Sequence, residues 1–153
     1  MAFTTGGALK AWIEGNFGLG LVIYRDRAPD DTQAPYITVA ESVPMAPGPG
    51  GNHIEDGGPG TAIETCHIDL WQDMRKAADG TLAEDQTLIH KLCNQLHGKR
   101  PVDSAGKPIM LSSIPGGAGI IYRCKVASCV RMIDPSVENR VHHAVAVQVW
   151  RQF

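Results

Sequence analysis

Two long stretches in the last third of the chain, residues 120–133 and 140–153, alternate apolar and polar side chains with a period of two. In the second, Val141, Val145, Val147 and Val149 fall on one face, with His142, Ala144, Ala146, Gln148 and Trp150 opposite. In the first, Tyr122, Cys124, Val126, Val130 and Met132 read as one face, with Arg123, Lys125 and Arg131 as the other. A period of two is the pattern of a β-strand with one face in the core. Asp134 and Pro135 start a turn between the two stretches, so they form one hairpin. At ~3.3 Å per residue each arm reaches roughly 45 Å. A folded domain of 153 residues has a radius of gyration of only ~15 Å. The arms overrun the core that one such domain needs. The surplus must bulge, or pair with a neighbour.

Upstream, residues 5–16 predict a helix, with Leu9, Trp12 and Ile13 at the three-four spacing and Lys10 and Glu14 off that stripe. Gly15 and Gly18 help to stop it. Residues 21–24 and 36–42 predict two strands, separated by a polar turn containing Pro29. A third strand spans 63–71, with Cys66, Ile68 and Leu70 facing one way and Thr65, His67, Asp69 and Trp71 the other. Thr81 and Glu84 have the spacing of a capping box. It opens a helix whose stripe is Leu82, Leu88, Ile89, Leu92, Cys93 and Leu96, and Gly98 closes it. A short strand over 109–114 precedes the hairpin. The order α-β-β-β-α-β-β-β predicts a single α+β domain over residues 1–153, a mixed, mostly antiparallel sheet with two main helices packed on it.

Between the second and third strands the composition changes. Ten of residues 43–60 are Gly or Pro, so the segment can be neither a helix nor a central strand. A loop of that length inside a domain is usually functional or disordered. It buries little apolar surface, so it is expected to be mobile in the free chain and to order on docking. Met45, His53 and Ile54 are its expected contact side chains.

Charge and motifs exclude more than they assign. A net charge of −2 lacks the basic footprint of a protein that neutralises phosphates. The residues after Met1 offer neither a basic start nor a long apolar run, so a soluble domain without a signal peptide or membrane span is expected. The four cysteines lie in helix and strand patterns with no Cys-x-x-Cys, and read as buried filler. Cys124 and Cys129 are expected on opposite faces of one strand, as are His142 and His143, and Cys66 and His67. None of these pairs makes a metal clamp. The Gly-rich turns at 48–51 and 115–119 lack the Lys-Ser/Thr of a phosphate loop. No nucleophile elbow occurs, and the carboxylate pairs Glu84/Asp85 and Asp30/Asp31 need only capping or solvated roles. The expectation is no catalysis, no cofactor and no metal.

One resemblance covers nearly the whole chain. An N-terminal helix precedes Leu21, Val22, Ile23 and Tyr24, then a Pro-containing turn and Pro35, Tyr36, Ile37, Thr38 and Val39. A variable loop, the strand from Cys66 to Trp71, the helix over 85–96 and a hairpin ending in the strand over 141–150 follow. This order resembles the tail terminator (tail-completion) proteins of long, non-contractile-tailed bacteriophages. Head–tail connector and stopper proteins of the phage neck are also small α+β ring formers. A small enzyme or ligand-binding domain is the reading from a different class. The resemblance implies a homo-oligomeric ring, a hexamer, in the virion neck, assembled in the host bacterial cytoplasm. Such a ring caps the tail tube, stops its polymerisation and joins it to the head, with no membrane involved. Its partners are the major tail tube protein and a head–tail connector or stopper, and DNA passes through it without specific binding. The surplus hairpin and the second face of the last strand make Ala144, Ala146 and Trp150 the expected subunit interface.

Overall fold

A computed structural model describes residues 4–41, 43–44, 61–76, 78–111, 119–133 and 139–152. The hydroxyl of Thr4 accepts the Gly7 N–H at 3.1 Å and caps the first helix, α1 (Thr5–Asn16). Strands β1 (Val22–Arg25), β2 (Tyr36–Val39) and the two-residue β3 (Val43–Pro44) follow. Next come β4 (Thr61–Asp73) and a small separate hairpin, β5 (Arg75–Lys76) with β6 (Leu82–Ala83). Helix α2 (Gln86–Leu96), β7 (Met110–Leu111), β8 (Gly119–Ile133) and β9 (Arg140–Gln152) complete the chain.

Six strands form the path β1-β2-β4-β9-β8-β7, with β3 added beside β4. Among the described residues only β1 and β2 pair in parallel; the other pairs of the sheet are antiparallel. The fold is α+β, as the order of patterns predicts. The long hairpin is present too, and β9 lies between β4 and β8, paired along its length.

Alternation decides the layers. Cys66, Ile68 and Leu70 of β4 and Val145, Val147 and Val149 of β9 point to one face, where all are buried. Leu9, Trp12 and Ile13 of α1 and Ile89, Leu92 and Leu96 of α2 close over that face in one apolar cluster. Each such side chain removed from water contributes about 1.5–3 kcal/mol. The opposite face of the sheet carries neither of the two described helices. We refer to it as the open face.

Three local expectations are corrected. Thr81 and Glu84 do not cap α2, because Leu82 and Ala83 pair with Lys76 and Arg75 and keep the chain extended. Thr81 instead bonds Asp79 within that hairpin's turn (2.6 Å), and Asp85 caps the helix by accepting the Thr87 N–H at 2.9 Å. Leu82 accordingly leaves the α2 stripe and is exposed. Second, β8 does not alternate evenly, because its register with β9 shifts between Ile121 and Arg123 and again between Val126 and Ser128. One extra residue reverses which side every later residue faces. Arg131 and Cys129 therefore lie opposite His143 and Val145 on the core side, while Val130 and Met132 lie opposite Ala144 and His142 on the open side. Third, Cys124 pairs with Val149 and so shares Cys129's side, contrary to the even alternation. The first two residues of the Gly/Pro-rich stretch form β3, at the margin of the sheet.

Candidate interaction surface

The open face is built by register. Tyr36 of β2 stands opposite Trp71 of β4, and Trp71 opposite His142 of β9. Because facing residues on neighbouring strands lie within stacking reach, the three rings form a row across the sheet. Trp71 and His142 stack at 3.9 Å with planes 6° apart, and Tyr36 lies 6.0 Å from Trp71 on the other side. Tyr24 of β1 meets Tyr36 edge-on at 6.0 Å. Polar atoms fix the row: Trp71 Nε1 donates to Thr38 Oγ1 at 3.2 Å, and His142 Nε2 lies 2.9 Å from Asp69 Oδ1. Arg140 is held by Asp73 at 3.0 Å and lies 5.9 Å from the Tyr36 ring. The turn after β1 leans over Tyr36 and Trp71, leaving a cleft of about 310 Å³ that Asp26, Asp31 and Asp69 also line.

Next to the aromatic row the surface becomes small. Ala144 and Ala146 stand between Asp69 and His67 of β4 on one side and Val130 and Ser128 of β8 on the other. Farther along, Trp150 lies opposite Ile63, and the Arg123 guanidinium sits 5.3 Å over its ring. All three residues expected at the subunit interface are thus on the open face, each half-exposed. They form a shallow strip, small in the middle and aromatic at both ends. Met45, His53 and Ile54 lie outside the described residues.

The other side of the sheet holds two buried polar clusters that the sequence reading missed. Glu84, nearly inaccessible, receives Arg131 Nε at 2.5 Å and Gln86 Nε2 at 2.9 Å, and His143 Nε2 lies 3.4 Å away. Burial pushes the His143 imidazole below its ordinary value of 6.5; the Glu84 carboxylate opposes this, and Arg131 and His142 add to it. The imidazole is neutral at pH 7. The second cluster ties α1 to the sheet. Glu64 accepts from the Thr5 hydroxyl at 2.6 Å and lies 3.4 Å from the Arg151 guanidinium. Glu41 accepts the Gly6 N–H at 2.9 Å and pairs with Arg25. A histidine between Val141 and Val145 on an apolar face was the one visible signal for the first cluster, since a buried imidazole needs a partner.

Chemically, both clusters are held together by charge-assisted bonds that pin helix starts to the sheet. Burial raises the Cys66 and Cys124 thiols to about 12 and Cys93 to about 11, which keeps all three protonated at neutral pH. Among the described residues no three His, Cys, Asp or Glu side chains converge to hold a metal ion. Neither described helix is long and apolar enough to cross a membrane. The chain matches no family model, and no curated protein matches it significantly.

Proposed function

We propose that this chain is a structural subunit of a phage neck: a tail terminator that forms a closed homo-oligomeric ring, a hexamer, on the finished tail tube. The observation that carries this role is the β8–β9 hairpin. Its outer strand leaves Val130, Met132 and Ile133 exposed, and among the described residues no strand pairs with its outer side from residue 127 to 133. Exposed apolar edges are a liability in a lone subunit, and closure into a ring removes them. The half-exposed strip of Ala144, Ala146 and Trp150 adds a flat surface for a neighbour. A ring through which DNA slides should not grip phosphate, and a net charge of −2 is compatible with that. In this role the subunit performs no catalysis and needs no cofactor. Its partners are the major tail tube protein on one side and a head–tail connector or stopper on the other.

Electron microscopy of phage assembled without this protein tests the role directly. Tubes of uncontrolled length and unjoined heads are the expected result. Tubes of normal length that fail to join would move the protein to the connector or stopper position. Normal infectious particles would end the proposal.

A further inference from the structure

The sheet has two ends, and they match. At one end β8 is covered only in part. Met110 and Leu111 pair with Ile120 and Gly119, and the turn after α2 bonds Cys124 through Lys99 O at 2.7 Å and Gly98 N at 2.8 Å. His97 Nδ1 then accepts the Val126 N–H at 3.1 Å. From residue 127 to 133 the outer side of β8 meets no strand among the described residues. Val130 and Met132 stand there on the open face, 51% and 43% exposed. At the other end, among the described residues β1 pairs only with β2, and Val22, opposite Tyr36 and so also on the open face, is 59% exposed.

We infer that the free stretch of β8 is completed by β1 of a second copy of this chain, which continues the sheet head to tail around the ring. This rests on the ring proposed above and names its joint. Strand direction permits it. β1 runs with β2, β2 and β4 run in opposite directions, as do β4 and β9, and β8 runs against β9. A neighbour in the same orientation therefore lays its β1 antiparallel to β8. Setting Val22 beside Met132 brings Tyr24 beside Val130, and every pair agrees on which side of the sheet it faces.

Charge disfavours pairing of β8 with itself. β8 carries Arg123, Lys125 and Arg131 and no acidic residue, so two β8 edges would set like charges against each other.

Cysteine cross-linking tests the joint. Val22→Cys and Met132→Cys are combined in a chain whose Cys93 and Cys129 are serine, and the purified protein is oxidised with copper phenanthroline over a range of concentrations. A ladder of covalent multimers beyond the dimer is expected, with none from either single variant. Dimers from Met132→Cys alone would show β8 pairing with itself and overturn the inference. Oligomers by native mass spectrometry without a ladder would also overturn it, while leaving the ring intact. Monomers at every concentration would count against the joint and the ring together.

Discussion

His143 shows how one side chain couples pH to the fold. In the unfolded chain its imidazole takes a proton near 6.5; in the folded protein burial beneath the start of α2 lowers that value. Between the two values the unfolded chain binds more protons, so stability is full above pH 6.5 and falls as pH drops toward the folded value. Urea unfolding across about pH 5 to 8 should show that loss, and His143→Gln should flatten it. Identical slopes for the two proteins would mean that His143 titrates freely when folded. The thiols give a second residue-scale test. Cys66 and Cys124 are buried and protonated and Cys93 is half-buried, whereas Cys129 is exposed on β8. A thiol reagent should modify Cys129 quickly in the native protein and reach the other three only on unfolding.

At the scale of elements, the start of α2 separates what a motif proposes from what the fold uses. Thr81 and Glu84 have capping-box spacing, but β6 occupies Leu82 and Ala83, and Glu84 turns inward to Arg131. Asp85 does the capping, and its bonds to Thr87 hold its carboxyl below the usual aspartate value. Asp85→Ala should therefore lower the melting temperature by a few degrees, with a smaller change for Thr81→Ala. The reverse order would restore the capping box. In β8 the two register shifts place Arg131 toward Glu84 while leaving Arg123 over Trp150. Without the second shift the salt bridge could not form.

For the whole molecule, the open face separates folding from assembly. Trp150 is half-exposed there, so Trp150→Ala should cost the fold well under the about 3–5 kcal/mol of emptying a buried aromatic site. Its expected effect is on assembly: weaker oligomers at a nearly unchanged melting temperature. Ile68, fully buried at the centre of β4, supplies the contrast, since Ile68→Ala should cost about 2–5 kcal/mol of stability. A large melting shift from Trp150→Ala with intact oligomers would place that ring in its own subunit's core.

Period and spacing alone decided which side of β4 and β9 faces the core, and which residues of α1 cover it. These are local properties: alternate residues of a strand point opposite ways, and residues three and four apart share a helix face, whatever lies beyond. The reversed phase in β8, the shifted start of α2 and the burial of Glu84 with His143 are of another kind. Each depends on groups distant in sequence, namely β9's register against β8, the β5–β6 pairing and the reach of Arg131. No pattern within one segment encodes such pairings. They exist only once the chain has closed on itself.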